Sequence, residues 1–307
     1  MLGFRTSPYL QSKLAILGCE HVYDDVPDIL KSLLGINTST SQVYRTCLAV
    51  SSAIDENDLS SASSELSLCE DKIESVVYGM IDGSMLPTDD GWQETKVGRV
   101  FTADREVREE EFSWQMNHSE YVAHRGHYGG FMRKFEKLLP PSSICKKVFI
   151  TDGAEWIGSS LQSLYPEATH ILDFYHACEH LGVIAAYISN SDKWLDLQKR
   201  NLLQGKHKEV CESVAKVSKA PKEERRKTIQ YLKTNEYRMH YDQYRNNGLM
   251  ISSGAIESAH RTVLQVRMKR SGQRWSNQGC DKMIKLRVAH KSKKFNIVIN
   301  LLKNNAA

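Results

Sequence analysis

Two carboxylates in this chain stand in the same local setting. Asp82 follows the apolar run Val76, Val77, Tyr78, Met80 and Ile81, Asp152 follows Val148, Phe149 and Ile150, and a glycine comes directly after each. Runs of that length read as buried strands, with the glycine as the turn residue that closes them. A charge at the rim of an apolar sheet costs desolvation, so it requires a cation or hydrogen bonds. Asp-Gly is also ordinary turn chemistry, because Asp bonds its own backbone and Gly supplies positive φ. A third acid, Glu257, makes the pair a set. The three acids stand 70 and 105 residues apart. Oxygen-only ligands suit Mg²⁺ or Mn²⁺, and two such ions held by shared carboxylates can stabilise both the attacking and the leaving oxygen in phosphodiester displacement.

Other chemistry-bearing residues cluster near residue 175. Asp173 and His176 spell D-x-x-H just after a predicted strand, a pair that would hold the following helical segment in place or contact DNA. His176, Cys178 and His180 raise a zinc reading, since positions i and i+4 share a helix face. It carries little weight: no fourth ligand has suitable spacing, and HACEH lacks the Glu that directly follows the first His of a zinc-peptidase motif.

The elements that would position these residues follow from periodicity. Leu10, Leu14 and Leu17 fit one helix, Val26 to Leu34 a second that Gly35 ends, and Val43, Cys47 and Leu48 a third capped from Thr38, Ser39 or Ser41. A helix, a Gly turn and a helix could form a helix-turn-helix presenting Gln42 and Arg45 to a DNA groove, and an ordinary helical hairpin fits equally well. A Ser-rich acidic stretch reads as a linker over 56–73. Strands are expected from Ser75 to the Asp82 turn, at Thr95–Thr102 and within Phe112–Val122. A helix over Gly126–Leu139 ended by Pro140 and Pro141, the Asp152 strand, a helix through Leu161 and Leu164, and a strand at Thr169–Phe174 complete the pattern.

Three strands, then helix, strand, helix, strand, is an α/β pattern with one mixed sheet. Antiparallel first strands and a parallel remainder would bring Asp82 beside Asp152. Residues 175–247 turn helical and are too long for a loop, so they read as a subdomain inserted into a core of 74–174 and 248–275. Ser252 or Ser253 would cap a long helix carrying Glu257, His260 and Arg261 and ending near Gly272, ahead of a basic helical tail at 276–307.

Composition sets the class. The chain has 307 residues, 41% hydrophobic and 25% charged, near globular averages, which argues against disorder and against a membrane protein. Its seven cysteines are scattered without a CxxC, as in a reducing cytoplasm. The net charge of +4 conceals an uneven split, because Ser258–Ala307 holds twelve Lys and Arg against the single acid Asp281. That bias marks a polyanion-binding face. Arg261, Arg267, Lys269, Arg270, Arg274, Lys282, Lys285 and Arg287, with Trp275 among them, are the candidate DNA contacts. Such contacts position DNA without reading its sequence, which leaves end recognition to residues 1–50.

The strings IDGSMLP with W-x-E-x-K-V-G-x-V-F, ITDGAEWI, ILDFYHACEHL, SSGAIES and R-M-K-R-S-G-Q-R-W-S with the closing IKLR span residues 81–287. Together they resemble the RNase H-like transposases of the DDE superfamily, and most closely the ISKra type of bacterial insertion-sequence transposase. D-x-x-H resembles the C/D-x-x-H signature of Mutator-like transposases. The resemblance implies an RNase H-like α/β fold interrupted by an all-helical insertion, and a small helical N-terminal region. It further implies catalysis and binding of two Mg²⁺ or Mn²⁺ ions by Asp82, Asp152 and Glu257, with Asp82 bridging, and support from Asp173 and His176. The activity implied is 3′-end cleavage and strand transfer on double-stranded DNA, by a homodimer or higher oligomer in the bacterial cytoplasm at the nucleoid. Relatives carry a longer region ahead of the SPYLQ-like segment, which implies a truncated copy or the downstream product of a split frame. Two other readings stay open: a transposase-derived DNA-binding protein without strand transfer, and an RNase H-like nuclease that cuts but does not join.

Overall fold

A computed structural model describes residues 6–54, 76–108, 111–142 and 144–304; the linker expected over 56–73 lies outside them. Three helices come first, α1 (Pro8–Glu20), α2 (Val26–Leu34) and α3 (Thr40–Ala53). The Ser7 hydroxyl caps α1; as the sequence predicts, Gly35 ends α2, in the left-handed conformation at φ +66°, and one of the three candidate residues, Ser39, caps α3.

The sheet has the order β3-β2-β1-β4-β5. Its strands are β1 (Val76–Thr88), β2 (Gly91–Arg108), β3 (Glu111–Arg125), β4 (Lys146–Thr151) and β5 (Thr169–Leu172). The first three run antiparallel in sequence, whereas β4 is parallel to β1 and β5 to β4. One expectation is corrected here, because β1 does not end at Asp82. It runs six residues further and turns into β2 at Asp89–Asp90, with Asp82 opposite Val97. Only the pairing with β4 stops there, its last partners being Ile81 and Thr151. Gly83 is therefore a strand residue paired with Lys96, with the Glu94 carboxylate reaching over it, not a closing turn.

Alternation along β1 sorts its side chains between two faces. Val77 and Ile81 lie on the face covered by α4 (Tyr128–Glu136) and α5 (Glu155–Leu164), in a cluster with Phe131, Phe135, Phe149, Ile157 and Leu161. A Cβ at Gly79 would come within 2.7 Å of the Phe149 ring, and one at Gly98 within 2.6 Å of Phe135, so these glycines are what let the aromatic rings lie against the sheet. Burying each such ring stabilises the layer by about 1.5–3 kcal/mol. Tyr78 and Met80 lie on the opposite face, and Asp82 shares their parity.

The helical block comprises α6 (Phe174–Ala185), α7 (Ser191–Leu203), α8 (His207–Ala215), α9 (Lys222–Thr234), a 3₁₀ turn (Glu236–Arg238) and α10 (Tyr241–Asn246). It is fastened to the ends of two strands: the Tyr241 hydroxyl donates to Leu172 O at 3.1 Å, and Arg238 donates to Thr151 Oγ1 at 2.9 Å. The chain returns through α11 (Gly254–Ala259), which continues as a π-helical turn (His260–Gln265) and a last α turn (Val266–Met268). The helix thus stops short of Gly272. Helices α12 (Asn277–Lys291) and α13 (Phe295–Asn304) pack with α1 and α3 in one apolar cluster holding Leu14, Val43, Met283 and Val298. No helix among the described residues is long and apolar enough to cross a membrane.

Candidate carboxylate site

Asp82 and Asp152 each follow a residue of the last β1–β4 pair, so the register alone puts them side by side at one end of the sheet. Asp82 Oδ1 accepts the Gly83 N–H at 2.6 Å, and its Oδ2 lies 3.3 Å from Nε2 of His260. Asp152 Oδ1 accepts the Ala154 N–H at 3.0 Å, a short turn into α5. Burial pushes the Asp152 carboxyl above its ordinary value. The Ala154 N–H opposes that, the Asp82 charge adds to it, and the charges of His176 and Arg238 oppose it.

The third acid arrives on α11. Glu257 is exposed and lines the same cavity of about 1050 Å³ as Asp82, with Glu94, His260, Arg261 and Lys269. What sets the start of α11 is Asp173, fully buried at the head of α6. Its Oδ1 accepts Ser253 N at 3.0 Å and Tyr175 N at 3.3 Å, and its Oδ2 accepts Ser253 Oγ at 2.7 Å and His176 N at 3.3 Å. Burial alone would raise the Asp173 carboxyl, but the bonds from His176 and Ser253 outweigh it and hold the group below its ordinary value. His176 Nδ1 stands 3.3 Å from Asp173 Oδ2, and that bond raises the imidazole from 6.5 to about 9 against the effect of its partial burial. Ser253 occupies the expected N-cap position of α11, but its hydroxyl is given to Asp173 and caps nothing.

The helical block reaches the same corner. Tyr231 of α9 presses on Gly153, where a Cβ would lie 2.1 Å from its ring, and its other side stacks on His180 at 3.7 Å between centroids. His180 is thereby engaged in packing and His176 in its bond to Asp173, and among the described residues His176, Cys178 and His180 do not gather their ligand atoms within 4.8 Å of one another.

The donor chemistry fits a hard divalent cation, being carboxylate oxygen throughout, with two like charges adjacent and only single backbone donors on Asp82 Oδ1 and Asp152 Oδ1. The ligand atoms of the three acids do not all lie within 4.8 Å of one another. Among the described residues that proximity is met by Cys19, Glu20 and His290. The Cys19 group is a different object, because Glu20 Oε1 already receives Arg287, His290 and Lys291 at 2.7–3.1 Å and ties α1 to α12. Burial pushes the Cys19 thiol up to about 12.

The candidate DNA contacts divide. Arg261 and Arg274 are exposed and Lys269, Arg270, Lys282 and Lys285 are half-buried, with Arg261 and Lys269 in the cavity wall. Arg267, Arg287 and Trp275 are corrected, being buried and turned inward. Arg287 donates to Val263 O, Cys19 O and Thr262 O, and Arg267 to Gly18 O, while Trp275 Nε1 donates to Met268 O. Lone carbonyls at helix ends are strong acceptors, and a guanidinium fork satisfies several at once. Arg270 also reaches Glu20 O at 3.4 Å, and Lys285 reaches Ile54 O at 3.1 Å. The sequence reading took Ser253 only as a candidate helix cap, and it missed Glu94, Tyr231 and Arg238. Of these only Glu94 carried a signal, inside the W-x-E-x-K string, where it pairs with the buried Lys96 at 2.8 Å.

No curated protein matches the chain. A family model described as an uncharacterised protein family, UPF0236, matches residues 48–296, which include β1 through β5, the helical block and α11. The chain belongs to the uncharacterised family UPF0236.

Proposed function

We propose that the chain is a DNA transposase of the DDE type, which cuts one strand at the end of a mobile element and joins the freed 3′-hydroxyl to target DNA. One observation carries this reading. Asp82 and Asp152 adjoin at the shared end of parallel strands β1 and β4, and Glu257, on a helix that follows a helical block, lines one cavity with Asp82. The strand order, with three antiparallel strands followed by two parallel ones, supports an RNase H-like core.

In this reading Asp82, Asp152 and Glu257 hold Mg²⁺ or Mn²⁺, which when bound neutralises charge on the attacking and leaving oxygens. The chain's own residues do the rest. Asp173 and Ser253 fix where Glu257 enters the cavity, Tyr231 and Arg238 brace the turn that carries Asp152, and Arg261 and Lys269 receive the phosphate backbone. Double-stranded DNA is the substrate and a homodimer or higher oligomer on DNA the working assembly.

The test is cleavage and joining of labelled DNA carrying the element's flanking ends, with Mg²⁺ or Mn²⁺, by the wild type and by Asp152→Ala. Metal-dependent joined products from the wild type alone support the proposal. Cut but unjoined products point to a nuclease, and binding without cutting by either protein points to a DNA-binding relic.

A further inference from the structure

One buried nitrogen in the cavity wall has no hydrogen-bond partner, Nε2 of His260. The side chain is 7% exposed, and Nε2 stands 3.3 Å from Asp82 Oδ2, within ion-pair distance but without hydrogen-bond alignment. Most buried polar atoms are paired, and an orphan costs about 1–3 kcal/mol, so this one calls for a reason. His260 also opens the π-helical turn of the α11 helix, one turn after Glu257. Such turns are uncommon and recur at functional sites, where the extra residue re-aims a side chain. The carboxylate it faces is half fixed already, since Oδ1 is held by the Gly83 N–H.

We propose that His260 is a positioning residue for Asp82: Nε2–H donates to Oδ2 and sets the carboxylate plane in which Asp82 and Glu257 share a divalent cation. The inference rests on the carboxylate-site reading above and deepens it. His260 is not itself a ligand in this account. It occupies the place of the outer partners that orient metal-binding groups, whose loss weakens metal affinity by about 10–100-fold.

The test is Mn²⁺ binding to the purified full chain, followed by electron paramagnetic resonance and calorimetry, for wild type, Asp82→Ala, His260→Phe and His260→Gln. Phe keeps the packing of the ring and removes Nε2, so the variant folds with a thermal midpoint near wild type. It is expected to bind Mn²⁺ about 10–100-fold more weakly. Gln offers a side-chain N–H toward Oδ2 and is expected to recover a large part of the affinity. A folded His260→Phe with wild-type affinity, alongside an Asp82→Ala that has lost it, overturns the role of His260 and leaves the carboxylate site standing. Wild-type affinity in Asp82→Ala overturns the carboxylate site itself. A nitrogen coupling from His260 in the Mn²⁺ spectrum also overturns the inference, because the ring would then be a ligand.

Discussion

Asp173 and Ser253, eighty residues apart in sequence, are joined by two hydrogen bonds to one buried carboxylate, 3.0 Å from the serine N–H and 2.7 Å from its hydroxyl. The same carboxylate caps α6 through Tyr175 N and His176 N. One acid therefore fixes both where the helical block begins and where the helix of Glu257 starts. Asp173→Ala leaves several buried donors unpaired and removes a cap, and is expected to cost roughly 2–4 kcal/mol in urea denaturation. Ser253→Ala removes one donor and should cost about 1 kcal/mol, with a larger loss of cleavage than of stability.

The Asp173–His176 pair gives stability a defined pH dependence. The His176 imidazole is raised in the fold from 6.5 to about 9, so its contribution is complete below pH 6.5 and is lost as pH rises through about 9. The Asp173 carboxyl is lowered below 3.8, so its contribution is present above that pH and is lost as pH falls through the depressed value. Thermal midpoints should fall between pH 6.5 and 9 in the wild type and fall less in His176→Gln. Equal slopes in the two proteins would sink the assignment.

Asp152 has the opposite sign. Its carboxyl is raised above 3.8 chiefly by burial, so the charged form opposes folding at neutral pH in the absence of a cation. Asp152→Asn should melt higher than wild type without added metal, by on the order of 1–3 °C, and should lose cleavage altogether. Mg²⁺ should stabilise the wild type by more than the variant, as measured by differential scanning calorimetry.

Two arginines of the basic region should behave in opposite ways. Arg287 is fully buried among backbone carbonyls and Glu20, so Arg287→Ala should cost about 3–5 kcal/mol through stranded carbonyl acceptors, with Glu20 still held by His290 and Lys291. Arg274 is exposed, so Arg274→Ala should leave the melting curve unchanged. In salt titrations of DNA binding it should lower the slope of log affinity against log salt by about 1.

Gly153→Ala tests the brace on the turn that carries Asp152. A methyl there meets the Tyr231 ring at 2.1 Å, and the ring is pinned from behind by His180. The expected cost is about 1–3 kcal/mol with loss of cleavage, and Tyr231→Phe should leave that clash in place.

What the sequence determined by itself is what local chemistry and alternation encode. The apolar runs before Asp82 and Asp152, the Gly35 stop, the Ser39 cap and the break into helices after Phe174 follow from periodicity and turn residues, and so does a mixed sheet that brings the two acids together. It did not determine the length of β1, because Asp-Gly looks like a turn until β2 supplies twelve paired positions past and around it. Nor did it determine which cations face solvent. Arg274 and Arg287 have the same local character, and only the docking of α1 against α12 buries one and leaves the other out. The bond from Ser253 to Asp173, the pressure of Tyr231 on Gly153 and the approach of His260 to Asp82 belong to tertiary structure alone. Each joins residues that are distant in the chain, and no local preference of either partner specifies the other.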